Sequence, residues 1–371
     1  ILKANDNTES VAHLIDVLFS PAERTVELDK GFRGHPSIGS AVLANTLKLT
    51  NNEPWGTFRS LVSNELNNGH QANVFLVGSI FGGTGAAGFP TIGELLKKEL
   101  KGVEEIRLGG ALALPYFSFI ADDSTSDLRA SSEDFLVNTQ ASLGYYLSRN
   151  DMDVFDVLYL MGEENMCPVS QFSIGANTQK NEAHFLEVLM GLAAIDFFSA
   201  REGGCYIVGR KKTNEIEWSD IPYPDGYTVF KNKVAQFTRF AYVYVNIYFR
   251  DIEAIRHGTC SKSIPWHQDY FIKKGQSVMQ EDIYQGLLCI KEFCERYLEW
   301  FEQIHSSYTS GTVSLLNKKA LVEGNHKSFS KLVLPYTKPD NKELGNIWRA
   351  MSKYKNKYQD ASVGGIFLNS L

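Results

Sequence analysis

The sequence predicts an α/β fold built on a doubly wound, mostly parallel sheet, with a central buried helix and a helix-rich C-terminal region. In the first half of the chain, short apolar runs alternate with segments of helical periodicity, which is the pattern of repeated βα units. One apolar run is joined to the following helix by small residues rich in glycine. Beyond about residue 200 the apolar spacing is mainly helical.

The elements before the first clear strand are short. We predict a helix at Val11–Leu18 and a strand-like segment at Thr25–Leu28. Gly31–Gly39 is predicted as a loop that opens a helix, because proline is favoured in a first helical turn and Pro36 stands there. A further helix is predicted at Trp55–Leu66.

The glycine-rich run lies between a buried strand and a helix. Asn73–Ile80 is an apolar run bounded by turn residues, which suits a strand buried on both faces of a parallel sheet. Gly82–Gly88 follows, and apolar residues at helical spacing continue to Leu100. Small residues let backbone N–H groups approach an anion, and a helix N-terminus favours negative charge. The sequence therefore predicts a phosphate-binding loop with donors from Gly82, Gly83, Thr84, Gly85 and Ala86.

The alternation of strands and helices continues after this loop. We predict a strand at Ile106–Leu114, a helix at Ser131–Leu147 and a strand at Val154–Met161. The segment Asn181–Phe198 carries apolar residues almost all the way round a helix, so we expect a central helix that is buried on every side.

The C-terminal half has a different character. A short strand is predicted at Cys205–Val208, and we place the domain boundary near residue 200. Apolar residues at 234–255 mark a helix, although Tyr242–Phe249 alone also fits a strand. Ile283–Ile304 has a coiled-coil-like seam, which suits either a core of this half or a partner-binding helix.

Two motifs resemble loops of the tubulin/FtsZ superfamily, and they occur in the order that this family has. Gly82-Gly83-Thr84-Gly85 is similar to the GGTG loop that grips the phosphates of a guanine nucleotide. Gly31–Gly39 resembles the upstream FtsZ loop that contacts the terminal phosphate, with His35 in the place of an asparagine. The resemblance implies that the upstream loop contacts phosphate through Gly31, Arg33, Gly34 and His35.

The same resemblance implies ribose and base contacts. Leu114–Phe119 is similar to the strand-end Arg-Pro-Phe-x-Phe of FtsZ, whose next residues reach the ribose. Asp122 or Asp123 is therefore the implied ribose contact. The helix predicted from Asn181 occupies the place of the family's central helix, whose first turn supplies an asparagine to the guanine, so Asn181 is the implied base contact.

By this resemblance the chain is a prokaryotic, tubulin-like protein that binds GTP or GDP, with Mg²⁺ as a further implied ligand. It would have a nucleotide-binding domain at 1–180, a connecting helix at 181–200 and a mainly helical domain at 201–371. GTP hydrolysis in the family is completed by a second subunit, which implies self-association.

Two family features are missing from the sequence. One is the N-terminal strand with its glycine-rich turn, which either precedes Ile1 or is lacking. The other is the Gly-x-x-Asn-x-Asp loop after the central helix, which supports hydrolysis. The missing activating loop and the helix-rich second half, in place of the family's sheet-containing domain, favour an alternative function. This alternative is a non-catalytic scaffold that binds a protein partner through its helical C-terminal half.

A dinucleotide site is the competing interpretation of the glycines, because Gly83–Gly88 also fits the pattern GxGxxG. In dinucleotide-binding proteins that motif is normally followed by an acidic residue at the end of the next strand, and this acidic residue binds the ribose. The next strand here ends Ala113-Leu114-Pro115-Tyr116, without an acid. An NAD-dependent oxidoreductase is therefore the less favoured hypothesis.

The charge, the cysteine pattern and the hydropathy of the chain argue against nucleic acid, a metal ion and a membrane as partners. A net charge of -6 without a long Lys/Arg stripe argues against nucleic acid. The five cysteines include no CxxC pair, and His257, Cys260 and His267 match no common zinc spacing, so we expect no metal site and a reducing, cytoplasmic environment. The longest apolar stretch, Phe240–Phe249, is about half the ~20 residues of a membrane helix, so no membrane span is expected.

Overall fold

The structure is a computed structural model that describes residues 15–25, 28, 31–32, 34–46, 53–99, 106–119, 132–149, 154–164, 166–169, 181–199, 202–210, 227–259 and 265–306. The chain divides into two compact units. The first comprises Ile1–Asn214 with Pro222–Pro224, and the second comprises Glu215–Ile221 with Asp225–Leu371. The boundary between the units therefore lies after the position near residue 200 that the sequence suggests, because the strand Gly204–Arg210 pairs with a strand of the first unit.

The first unit alternates helices and strands, as the apolar runs predict. Its helices are α1 (Pro21–Thr25), α2 (Pro36–Thr46), α3 (Trp55–Asn67), α4 (Gly83–Glu99), α5 (Ser132–Arg149) and α6 (Phe185–Phe198). Its strands are β1 (Ala72–Ser79), β2 (Ile106–Ala113), β3 (Phe117–Phe119), β4 (Val157–Glu163), β5 (Cys167–Val169) and β6 (Gly204–Arg210).

The sheet is parallel, which confirms the α/β class. Four strands lie in the order β1-β2-β4-β6, and every neighbouring pair is parallel. Strands β3 and β5 form a separate parallel pair just beyond the ends of β2 and β4. The carboxyl ends of β1, β2 and β4 therefore share one edge of the sheet, next to the start of α4.

Two adjacent glycines in β2 let helices pack closely on both faces of the sheet. A Cβ added to Gly109 would lie 2.6 Å from the ring of Phe197 on α6. A Cβ added to Gly110 would lie 2.4 Å from the ring of Phe89 on α4. Because successive residues of a strand point to opposite faces, α4 and α6 lie on opposite sides of the sheet.

The core on the α4 side is built from apolar side chains of the sheet and of two helices. It joins α4 and α5 to β1, β2 and β4. Its buried members are Ile80, Phe89, Leu96, Leu108, Leu112, Tyr146, Phe155 and Leu158. Burial of this kind stabilises a fold by roughly 25 cal/mol per Å² of apolar surface, so this cluster fixes the position of α4 on the sheet.

Helix α6 differs from the central helix that the sequence predicts. It begins at Phe185 rather than Asn181, because His184 is its N-cap and Glu187 completes the capping box. It is also not buried on every side, since Ile195 and Phe198 are 46% and 54% exposed. Because apolar residues lie almost all the way round this helix, the sequence could not show which of its sides is exposed.

In the part of the second unit that the structure describes, the regular elements are helical. They are α7 (Tyr227–Val243), a π-helical segment (Tyr244–Tyr248), α8 (Phe249–Arg256), α9 (Pro265–Tyr270), a 3-10 turn (Ile272–Lys274) and α10 (Glu281–Ser306). The helical interpretation of Tyr242–Phe249 is confirmed, and the strand interpretation is wrong. Cys294, Phe301 and Ile304 of the predicted seam are buried, whereas Ile290 is 42% exposed. Among the described helices of both units, none has the length and apolar character needed to cross a membrane.

Candidate functional site

The predicted phosphate-binding loop forms the start of α4. Only Ile80, Phe81 and Gly82 separate β1 from the helix, so Gly83–Gly88 lies in its first turns. The N–H of Ala86 donates to the carbonyl of Gly82. Among the residues that the structure describes, none accepts a hydrogen bond from the N–H groups of Gly82, Gly83, Thr84 or Gly85. These are the donors that a helix N-terminus leaves for an anion.

Close backbone approach also explains two of the glycines. A Cβ added to Gly85 would lie 2.4 Å from the carbonyl oxygen of Ser79, at the end of β1. A Cβ added to Gly83 would lie 2.9 Å from the backbone nitrogens of Gly34 and His35. Gly83 and Gly85 are therefore required for the tight turn and its packing, whether or not an anion binds there.

The upstream loop lies against the start of α4, so the two glycine loops come together. The N–H of Phe32 donates to Oγ1 of Thr84 at 3.4 Å. Gly31 and Gly34 have φ angles of 80° and 84°, in the left-handed region that favours glycine. A Cβ added to Gly39 would lie 2.6 Å from the Cβ of Ala87, so α2 and α4 also pack closely.

His35 is held at the start of α2 by its backbone and by an acidic neighbour. Its N–H donates to the carbonyl of Phe32 at 2.8 Å, and its Nδ1 lies 3.8 Å from a carboxylate oxygen of Glu23. Hydrogen bonds from Ser20 hold the pKa of Glu23 below its usual value, and His35 adds to this effect. The Nε2 of His35 is buried and has no partner among the described residues. Arg33 lies outside the described residues.

A proline inside α4 creates an unsatisfied carbonyl that a tyrosine satisfies. Pro90 has no N–H, so it cannot make the usual helical bond to the carbonyl of Ala86, four residues earlier. The hydroxyl of Tyr146 on α5 donates to this carbonyl at 2.8 Å. The glycine-rich first turns of α4 are thus fixed to α5 by a buried hydrogen bond.

We expect Tyr146→Phe to lower the free energy of unfolding by about 1–3 kcal/mol, because it leaves the Ala86 carbonyl without a donor. Urea unfolding of both proteins measures the difference. The control is the same Tyr146→Phe change in a protein that also carries Pro90→Ala, because alanine restores the helical N–H that can donate to the Ala86 carbonyl. The loss of unfolding free energy should be smaller in that protein. An equal loss with and without Pro90→Ala would show that the Tyr146 hydroxyl does not compensate for the proline.

A second cluster at the carboxyl edge of the sheet was not predicted from the sequence. The hydroxyl of Tyr116, after β2, donates to a carboxylate oxygen of Glu187 at 3.0 Å, and the rings of Tyr116 and His184 are 4.8 Å apart. Burial raises the pKa of Tyr116 above its usual value, and the Glu187 carboxylate adds to the shift. This cluster ties the start of α6 to the end of β2. The capping pattern His184-x-x-Glu187 was the available signal, but histidine is not among the preferred N-cap residues.

Burial also lowers the pKa of His184 to about 4 from a usual value near 6.5. The unfolded chain therefore takes up the proton at a higher pH than the folded protein does. We expect this residue to reduce the free energy of unfolding by about 3 kcal/mol as the pH falls from 7 to 4. His184→Asn keeps a capping acceptor and should remove that part of the pH dependence in urea unfolding. Identical pH profiles for the two proteins would contradict the assignment.

Of the residues implied as ribose and base contacts, only one is described. Asp122 and Asp123 lie outside the described residues. Asn181 is exposed and lies four residues before the first residue of α6, so it does not belong to the first turn of that helix. The structure thus brings together Gly31, Gly34, His35 and the residues Gly82–Ala86.

Comparisons with protein-family models, with curated proteins and with solved structures gave no match to this chain. Among the described residues there is also no group of three or more His, Cys, Asp or Glu side chains that could hold a metal ion.

Proposed function

We propose that the first unit binds a guanine nucleotide, GTP or GDP, with its phosphates at the N-terminus of α4. The backbone N–H groups of Gly82–Gly85 support this proposal, because they have no hydrogen-bond partner among the described residues. Such donors, together with the positive end of the helix, fit a phosphate group. Their position at the carboxyl edge of a parallel sheet is where α/β proteins bind ligands.

The upstream loop supports the proposal because it lies beside these donors. Phe32, between Gly31 and Gly34, contacts Thr84. His35 adds an imidazole whose buried Nε2 has no partner among the described residues. We propose that this loop contacts the terminal phosphate, as the resemblance to the tubulin/FtsZ superfamily implies. Asn181 remains the proposed base contact, and Asp122 or Asp123 the proposed ribose contact.

Mg²⁺ would arrive with the nucleotide, since it is usually bound through phosphates and only one or two carboxylates. Hydrolysis would need a water activated by residues of a second subunit. Self-association would then accompany turnover.

Calorimetric titration of GTP, ATP and NAD tests the proposal. We expect GTP to bind with the highest affinity and NAD not to bind, because the strand after the glycines ends without the acid that a dinucleotide ribose needs. The proposal fails when GTP does not bind, or when ATP binds as tightly as GTP. In the second case a phosphate site would remain, without guanine specificity.

The exposed side of α10 favours the second candidate function, a non-catalytic scaffold for a protein partner. Ile290, Phe293 and Trp300 follow one another at helical spacing and are 42%, 62% and 39% exposed. Apolar stripes of this kind are used in helix-mediated recognition. GTP turnover that rises with protein concentration, as subunit-completed sites require, would count against this candidate.

A further inference from the structure

The solvent-facing side of α10 carries an apolar stripe, which consists of Ile290, Phe293 and Trp300. Their side chains are 42%, 62% and 39% exposed. Phe293 and Trp300 are seven residues apart, so they lie almost on one line along the helix, and Ile290 lies one turn before Phe293. Large apolar side chains that are exposed side by side are typical of a surface that another element covers.

Acidic residues follow the apolar stripe along α10. Glu292 and Glu299 each precede a residue of the stripe, and they are also seven residues apart, so they form a second line beside it. Among the described residues, none forms a hydrogen bond or an ion pair with either of these two side chains. Lys291 is paired with Glu295 at 2.8 Å, which leaves Arg296 as the other basic residue of the helix. The surface therefore suits a partner that is both apolar and basic.

A segment of opposite charge occurs later in the same chain. Residues 307–371 contain ten Lys or Arg against four Asp or Glu, although the whole chain has a net charge of -6. Within this part, Asn346–Gln359 contains four basic residues and no acidic residue. The segment lies outside the described residues, so its pattern is taken from the sequence alone.

The spacing in Asn346–Gln359 predicts an amphipathic helix. Four apolar residues recur at intervals of four, three and four, which would place them on one side of a helix. They are Ile347, Met351, Tyr354 and Tyr358. The basic residues fall at other positions of the same turns: Arg349, Lys353, Lys355 and Lys357. Basic amphipathic helices bind apolar surfaces that have acidic borders, and α10 presents such a surface.

The connecting chain is long enough for this contact. Helix α10 ends at Ser306, and 39 residues separate it from Asn346. A chain of that length spans up to roughly 130 Å, whereas the 26 residues of α10 extend over about 39 Å. Because both partners belong to one chain, their effective concentration is high, so a weak contact is sufficient.

We propose that Asn346–Gln359 docks as a helix on the apolar stripe of α10 in the same chain, with its basic residues beside Glu292 and Glu299. Both surfaces belong to the second compact unit. Nucleotide binding plays no part in this contact. A partner helix that uses the same stripe, as the scaffold candidate requires, has to displace this segment first.

Cysteine labelling in the intact chain tests the contact. Cys289 is exposed on α10 directly before Ile290, and Cys205, exposed on β6, is the internal reference. Mass spectrometry measures the rate at which a maleimide labels each thiol. Met351→Asp places a charge in the apolar side of the segment and leaves α10 unaltered, so we expect it to raise the rate at Cys289 by about fivefold or more. An unchanged ratio of the Cys289 rate to the Cys205 rate would overturn the proposal.

Charge reversal tests the ion pairs. Glu292→Lys with Glu299→Lys should raise the labelling rate of Cys289 by about tenfold at low ionic strength, because attraction at each position becomes repulsion. Adding Lys353→Glu and Lys357→Glu to the same protein restores the attraction, so slow labelling should return. The new lysines near Cys289 remain in the rescued protein, so their effect on the thiol cannot cause this return. Failure of the rescue would overturn the proposal.

A charge control and a dilution complete the test. Asp134→Lys with Glu202→Lys changes the net charge equally at two exposed positions of the first unit, and it should leave the Cys289 rate unchanged. An equal rise in this control would overturn the proposal. Tenfold dilution of the unaltered protein should also change nothing, since the contact lies within one chain. Protection of Cys289 that is lost on dilution would assign the segment to a second copy and contradict docking within the chain.

Discussion

Thr84→Glu is expected to weaken GTP binding by roughly 100-fold or more, because it places a carboxylate where the phosphates should bind. Thr84 is exposed in the first turn of α4, so the new side chain has room. Two unit charges about 4 Å apart repel by about 4 kcal/mol at an effective dielectric constant near 20, which allows a loss of this size. Calorimetric titration of GTP measures it.

The same substitution should not harm the free protein. A negative charge in the first turn of a helix stabilises it by about 0.3–1 kcal/mol. Thr84→Gln is the matched control, since it has the same shape without the charge and loses the same weak contact with Phe32. Equal GTP affinities for the two variants would show that no phosphate lies near Thr84.

Gly110→Ala is expected to lower the free energy of unfolding by about 3 kcal/mol, at the upper end of the usual effect of overpacking. The added methyl group would lie 2.4 Å from the ring of Phe89, which stacks on Phe155 in the core and therefore cannot move aside easily. Urea unfolding measures the loss. Phe89→Leu in the same chain should recover part of it, because it removes ring atoms at the point of contact.

Gly144→Ala is the control for this effect. Gly144 lies within α5, and a Cβ added there would meet nothing within 4 Å. We expect it to raise the free energy of unfolding by about 0.5–1 kcal/mol, as glycine-to-alanine changes in helices do. A similar loss in both variants would mean that contact with Phe89 is not the cause.

Local sequence patterns were sufficient to predict the strands of the sheet. The run predicted at Asn73–Ile80 forms a strand at Ala72–Ser79, and the run predicted at Ile106–Leu114 forms one at Ile106–Ala113. Apolar runs bounded by turn residues place strands well because both signals are local. Pro36 likewise begins α2, as a proline at a first helical turn should.

Features that depend on distant residues could not be predicted in this way. The strand Gly204–Arg210 belongs to the sheet because it pairs with β4, and no local pattern shows that pairing. Gly109 and Gly110 suggest a turn from composition alone, yet they lie in a central strand because two phenylalanine rings approach them.

The candidate site was predictable in part. Both glycine loops were recognisable from their motifs, and the structure brings them together through Thr84 and Phe32. The cluster of Tyr116, His184 and Glu187 was missed because its members are separated by about 70 residues and histidine is an uncommon N-cap. The sequence also could not show that Gly83 and Gly85 must be glycine, because this requirement comes from backbone atoms that lie close to them in the folded protein.

In the proposed site, the backbone N–H groups of Gly82–Gly85 hold the phosphates of a guanine nucleotide. NMR spectra of the ¹⁵N-labelled protein, recorded during a GTP titration, test it most directly. We expect the amide resonances of Gly82, Gly83, Thr84 and Gly85 to shift together and to saturate with the calorimetric affinity. GTP binding that leaves these four resonances in place would contradict it.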